Sequence, residues 1–482
     1  MSIAIAAIGF ATAQGNTAQI LEAKTPRPAT ALPWTPNKWN LSRICHPAIQ
    51  IESSLAGAAR WQALAKRALD DLGELSPGTP LLVASCNGDA SQNWEQAFDT
   101  TALLDDTPWA GERLPVFSSS CASGIHALYA ARQLLLARVT DEVVVIAADI
   151  LSPSNHDNFE SLRVLAAEPS PPWQSTSQGF ILGEAAVVLK VVRASGDDQA
   201  IDLALRSDLD DYDGLSRALE ALSPSDPSLI LGQGTGPFQN DTAELTAFST
   251  FVDEHVPLAT PLSNFGHTLG ASGLLAIALG ALSCKKSFIP SPTSAALDGR
   301  ALCRGGPPWP PDVMDWTTGG HGGPPLQVLT TCRALNGACA ATIVGNNVCA
   351  KTQRHNDDWR RSVTSGPLMN QTLKRLASEA SDHRPSAPPD VLIVRMEKPL
   401  SPPASAIIGD RLLPSAVLEI TPGFTSQLVA RCWGFSGPSL CLVGDVDHDV
   451  YGLKSAFQES GLSVFQVNLR GSGDNRAIEW NA

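Results

Sequence analysis

The chain has 482 residues and a formal net charge of -14, too long for one small core on a scale of roughly 150 residues per domain. Hydrophobic residues make up 43% and charged residues 17%, which excludes a disordered chain and indicates a globular one. The acidic total argues against a nucleic-acid surface, which needs a basic stripe to neutralise phosphates, and an acidic partner would need a local basic patch to receive it.

In chain order, Met1 to Ala13 looks superficially like a secretory signal, but no Lys or Arg precedes its apolar run. Ile3, Ile5 and Ile8 are β-formers and Gly9 starts a turn, so a buried first strand is expected. Pro80 to Cys86 is a short apolar run suited to a buried strand. Gly124 to Arg138 is helical, with Leu128, Leu135 and Leu136 at helical spacing. Glu142 to Ala148 is a fully apolar strand of the kind found in sheets covered on both faces. Phe180 to Val192 is a further strand region. Ser228 to Leu231 is a strand entering a Gly-rich loop, and a helix over 242–252 is expected to open after Asp241 as its N-cap. Leu274 to Leu282 is a buried helix, Gly305 to Pro325 a Pro/Gly-rich loop, and 338–349 a closing strand and turn. Residues 351–390 are polar, with Pro385, Pro388 and Pro389 near their end, and are expected to form a linker. A third block opens at Val391 and continues through Ser426 to Trp433, Ser439 to Val443 and Leu462 to Leu469.

The ten cysteines form no Cys-x-x-Cys pair, so no zinc site is indicated. Spread thinly and often in apolar runs, they are expected to be buried free thiols in a reducing cytosol. No run of 18 apolar residues occurs, so no membrane span is expected.

Three stretches carry candidate chemistry. Ser118-Ser119-Ser120-Cys121-Ala122-Ser123-Gly124 stands between an extended segment and a long helix. A cysteine at a helix N-terminus gains thiolate character from the free N–H groups and the dipole, although the same pattern fits a buried cysteine beside a helix start. Gly232-Gln233-Gly234-Thr235-Gly236, followed by Asn240-Asp241 and Glu244, is a weak signal alone and fits a tight turn. Asn264-Phe265-Gly266-His267-Thr268-Leu269-Gly270-Ala271-Ser272-Gly273 is a Gly-rich turn that places one His before an apolar helix; a lone His is more often structural.

Together and in this order, the three resemble the β-ketoacyl synthase family, across roughly residues 1–350. The family has a nucleophilic Cys in a small-residue elbow, then His-Gly-Thr-Gly-Thr followed by Asn-Asp and Glu, then Asn-Ile-Gly-His-Thr before Gly-Ala-Ala-Gly. Cys121, the stretch from Gln233 to Glu244, and the stretch from Asn264 to Gly273 match these in turn. Gly179 to Ala186 resembles the family's Gly-Phe…Gly-Glu-Gly-Ala strand, and Asn336-Gly337-Ala338 its closing turn. Two departures stand out: Gln233 replaces the family's first catalytic His, and Leu262 the Lys usual five residues before the second. Gln donates a hydrogen bond but does not titrate.

The third block resembles the first half of a second ketosynthase. Aligning Pro438 with Pro115 puts Gly444 where Cys121 stands, so this copy lacks a nucleophile, as in chain-length-factor partners. The resemblance implies an α/β thiolase-like five-layer fold of two similar halves, mixed sheets sandwiched by helices, followed by a partial α/β block. The expected division is 1–195, 196–350, the linker 351–390, and 391–482. It implies catalytic roles for Cys121, His267 and Gln233, with Glu184 buried behind the site. The substrate is expected to be a thioester of an acyl carrier protein or coenzyme A. No cofactor is expected. Assembly as a homodimer, or as a heterodimer with another ketosynthase-like chain, follows from the family, unless the third block supplies that surface within one chain.

Overall fold

The computed structural model describes residues 2–22, 26–32, 44–89, 97–104, 107–174, 176–195, 198–209, 212–224, 227–253, 256–285, 327–345, 348, 362, 368, 370–402, 407–408, 411–412, 414–472 and 476–481. The expected loop from Gly305 to Pro325 and residues 351–361 of the expected linker lie outside these.

The first half contains strand β1 (Ile3–Thr12), helix α1 (Gly57–Leu72), strands β2 (Leu81–Ala84) and β3 (Val116–Phe117), helix α2 (Ser123–Leu136), and strands β4 (Glu142–Asp149) and β5 (Ala185–Arg193). The second contains β6 (Ala200–Ser207), α3 (Gly214–Leu222), β7 (Leu229–Leu231), α4 (Phe238–Phe251), β8 (Leu258–Ala259), α5 (Ser272–Lys285), β9 (Gln327–Arg333) and β10 (Ala338–Gly345). The third block adds α6 (Gln371–Ala380), β11 (Val391–Met396), α7 (Pro422–Trp433), β12 (Ser439–Val443), α8 (Leu453–Glu459), β13 (Val464–Arg470) and β14 (Ala477–Asn481).

These strands form one mixed sheet in the order β8-β7-β9-β10-β6-β1-β5-β4-β2-β3-β12-β11-β13-β14. β1 pairs antiparallel with β5 from Ile3↔Arg193 to Thr12↔Ala185 and touches β6 at only two positions, so the two halves fold over each other there. α2 and α5 lie between the halves. Both are almost wholly buried, α5 nearly all apolar and α2 with His126, Arg132 and Gln133 buried among its apolar residues, as expected for helices covered on both sides. α1 covers the outer face of the first half with Trp61, Leu64, Ala65 and Ala68, and α3 and α4 cover that of the second. The result is the expected five-layer α/β arrangement. Among the described residues no helix is long and apolar enough to cross a membrane.

Three local expectations are corrected. β1 runs through Gly9, which pairs with Val188, so Gly9 starts no turn. α4 begins at Phe238, so Asp241 lies in its first turn and not at the cap. Its carboxylate faces back to the preceding loop, a role that sequence does not separate from capping. Residues 371–380, expected as linker, form α6: Asn370 caps it through Leu373 N, and Thr372, Leu373, Leu376 and Ala380 form a buried face. The many polar residues on the other face hide that spacing in the composition.

In the third block β11 runs parallel to β12 and β13, and β13 antiparallel to β14. The same directions hold for β2 with β3 and β4, and for β4 with β5. The two sets meet antiparallel at β3 and β12, with Leu442 opposite Phe117 and Val443 opposite Val116. The edge of the strand leading to Cys121 is thus filled from within the chain. α8 packs on α2 across this junction, with Tyr129 and Phe457 ring centroids 5.8 Å apart. No second elbow forms, because β12 ends before Gly444 and α8 starts only at Leu453. Phe457 is fully buried, so Phe457→Ala is expected to cost about 3–5 kcal/mol. In urea unfolding the midpoint should fall while the first half and the third block still unfold in one transition, the check that they share a core.

Candidate active site

β3 delivers the chain into an elbow. Ser120 adopts the left-handed conformation with φ 55°, a strained setting for a residue with a side chain. Cys121 follows, two residues before α2 begins. The Ser123 hydroxyl accepts from Ser119 N at 2.9 Å and donates to Ser120 O at 2.6 Å, which fixes the turn. Gly124 is required here: a Cβ would stand 3.0 Å from both Ala147 Cβ and Leu274 Cβ, where α2 meets β4 and α5. Cys121 is 1% exposed. Burial pushes its thiol up to about 12, against bonds from the Ser120 hydroxyl and the Leu335 backbone N–H. The thiolate expected from the helix terminus alone is therefore not the resting form, since desolvation outweighs the dipole.

The second motif is a loop held by two carboxylates of α4. Glu244 accepts from Gln233 N at 2.7 Å, Gly234 N at 2.9 Å, Trp173 Nε1 at 2.7 Å and Thr331 Oγ1 at 2.7 Å. Asp241, one turn earlier, accepts from Gly236 N and Trp173 N, and burial followed by the Glu244 charge pushes it up to about 7. With its backbone fixed, the Gln233 side chain is fixed too. Its Oε1 accepts from Arg333 N at 2.9 Å, and its Nε2 points at Cys332 Sγ, 3.8 Å away. Cys332 in turn donates to Cys121 O at 3.4 Å. The structure thus places Cys332 between Cys121 and Gln233. Arg333 is anchored by Asp208 at 2.7 Å and Asn240 at 2.6 Å. Sequence gave no reason to single out Trp173, Cys332 or Arg333, because they enter the site from the 173 loop and from the end of β9.

In the third motif His267 is buried and stacked on Phe180, with centroids 4.5 Å apart. Leu269 N donates to His267 Nδ1 at 3.1 Å, so in the neutral ring the proton sits on Nε2. Burial lowers the imidazole to about 4, and the ring is neutral at pH 7. Among the described residues His267 makes no hydrogen bond to Cys121 or Gln233. Leu262 does join Gln233: both line a small cavity with Thr268, Ser272 and Cys332. Glu184 has the expected background place, fully buried, paired with Arg60 and accepting from Ala48 N and Leu151 N.

The sequence fits two family models, the β-ketoacyl synthase N-terminal domain over residues 115–195 and its C-terminal domain over 186–295. Over these residues, 115–295, the chain is similar to the β-ketoacyl synthase family. Relatives include the tetracenomycin polyketide synthase ketoacyl synthase alpha subunit of Streptomyces glaucescens, 30% identical over 41% of this chain and 55% of that protein. A highly reducing polyketide synthase of Emericella nidulans is 28% identical over 41% of this chain and 9% of its own length. The chain thus spans about half the length of the bacterial relative and a small part of the fungal one. Among solved structures, the PfaC keto synthase–chain length factor is similar over 98% of this chain and 74% of its own, with TM-score 0.67 and 13% identity. A ketosynthase solved in complex with its chain length factor, from Xenorhabdus doucetiae, covers 72% of this chain with TM-score 0.53 and 19% identity. At these identities the likeness shows the fold, a thiolase-like one. Gln233 and Leu262 stand at the positions where the motif resemblance sets the family's first imidazole and its Lys.

Proposed function

We propose that the chain is a ketosynthase-type acyltransferase that takes an acyl group from a carrier-protein or coenzyme A thioester onto Cys121. The observation that carries this reading is the elbow: a cysteine two residues before an almost wholly buried helix, in a turn fixed by the Ser123 hydroxyl. In the transfer, the Cys121 sulfur adds to the thioester carbonyl, the carbonyl oxygen takes the negative charge, and the donor thiolate leaves with the proton from Cys121. Backbone N–H groups at the elbow and His267 Nε2–H are the donors for that charge. His267 acts as a donor and not as a base, since its Nδ1 is occupied by Leu269 N–H and its Nε2 holds the proton.

Condensation with a malonyl unit would lack the charge that an imidazole at position 233 supplies. The Gln233 amide is tied to Arg333 and Cys332 and cannot carry positive charge. The names of the relatives point to polyketide synthesis as the setting, with an acyl carrier protein as donor. Residues 391–482 are then a chain-length-factor-like portion: β12 pairs with β3 inside one chain, and the similar PfaC structure is a keto synthase–chain length factor. The test is intact-mass analysis after incubation with acyl-carrier thioesters. A mass gain equal to one acyl group supports the reading, and no gain with any acyl thioester refutes it.

A further inference from the structure

We infer that Asp149 is a positioning residue that fixes the nucleophile elbow relative to the loop carrying His267. Asp149 ends β4 and is fully buried. Its Oδ1 accepts from Ser85 Oγ at 2.8 Å and Asn87 N at 3.1 Å, and its Oδ2 from Cys86 N at 2.9 Å and Gly270 N at 2.8 Å. Four donors fill the accepting capacity of a carboxylate, so no position is left for a substrate or for a proton in transit.

The donors come from two directions. On one side, Cys86 O accepts from the Ser118 hydroxyl at 3.2 Å, and the Ser123 hydroxyl, 3.2 Å from Ser85 O, accepts from Ser119 N and gives its one proton to Ser120 O in the elbow. On the other, Gly270 adjoins Leu269, whose N–H fixes the His267 ring. The approach is close: a Cβ on Gly270 would stand 2.6 Å from Cys86 N and 2.7 Å from Asp149 Oδ2. Three segments distant in sequence thus meet at one carboxylate.

Activation of the nucleophile does not explain this residue. The Asp149 charge acts to raise the Cys121 and Cys86 thiols, which opposes thiolate. The carboxylate is retained for the four bonds it accepts. Asn would present an NH2 group to N–H donors in place of one oxygen, and at least one bond must break.

This inference rests on the acyl-transfer reading, and two readouts separate the two. The first needs no turnover. In protein labelled with 15N-histidine, Asp149→Asn is expected to shift the ring signals of His267, whereas a remote Glu479→Gln leaves them in place. The second is a double-mutant cycle on the rate of Cys121 acylation. Asp149→Asn and His267→Ala are each expected to slow it about 100-fold, the loss of one well-placed donor, and the double variant no further. Unmoved His267 signals, a double variant that loses the product of the two factors, or an unaffected single variant overturns the inference. If the parent accepts no acyl group, the acyl-transfer reading fails and the ring signals alone decide the role of Asp149. Ser85→Ala, which removes one donor and keeps the charge, serves if Asp149→Asn does not fold, with a smaller shift of the same signals expected and no shift overturning the inference.

Discussion

Replacing Cys121 with Ala is expected to lower acyl uptake by more than ~1000-fold, the scale on which removal of a nucleophile acts. Brief exposure of the parent to an acyl-carrier thioester, followed by peptide mapping, should place the label on Cys121. Burial alone does not select it, since seven of the eight described cysteines are buried. Selection comes from the surroundings of each sulfur: burial raises Cys86 and Cys332 further than Cys121, and the Asp149 charge adds to the rise at Cys86. Cys432 is the half-buried thiol and is the residue on which slow, unspecific label is expected in Cys121→Ala. A pH series adds a second reading. With the Cys121 thiol near 12, about one molecule in 100,000 is ionised at pH 7. Its alkylation by a small reagent should then rise about tenfold per pH unit well beyond pH 9, where a surface thiol levels off. Equal acyl labelling of Cys121→Ala and the parent would sink the assignment.

The double variant Gln233→His with Leu262→Lys is expected to release carbon dioxide from malonyl-carrier protein about 100-fold faster than the parent, with acylation of Cys121 changed far less. Decarboxylation must stabilise an enolate oxygen as carbon dioxide leaves, and one well-placed donor is worth a factor of ~100 to 1000. In the parent the Gln233 amide spends its oxygen on Arg333 N and directs its NH2 at Cys332. An imidazole at 233 could accept from the same Arg333 N–H through one nitrogen and offer the other to the substrate. Leu262 lines the cavity shared with Gln233, so an ammonium group there would enter the same polar surroundings. Following labelled carbon dioxide and acyl-enzyme in parallel separates the half-reactions. A parent that decarboxylates as fast as it acylates would show that Gln233 already does the work of the missing imidazole.

The sequence by itself determined the elements and the motifs. The apolar runs at β1, β2 and β4 and the apolar helix α5 were legible because burial on every side leaves continuous hydrophobic stretches, and α2 through its leucines at helical spacing. The three motifs were legible because their small residues and glycines meet local backbone demands, such as the turn before α2 and the close approach at Gly270. The tertiary structure alone decided what stands around them. Cys332 and Arg333 reach Gln233 from a strand a hundred residues away in sequence, and Asp149 joins the Cys86 segment to Gly270. The pairing of β12 with β3 closes within the chain an edge that the family resemblance had left open to a second chain. The state of Cys121 was decided the same way. A helix N-terminus read from sequence favours thiolate, but the resting thiol is governed by desolvation, and desolvation depends on how completely the rest of the fold covers the sulfur.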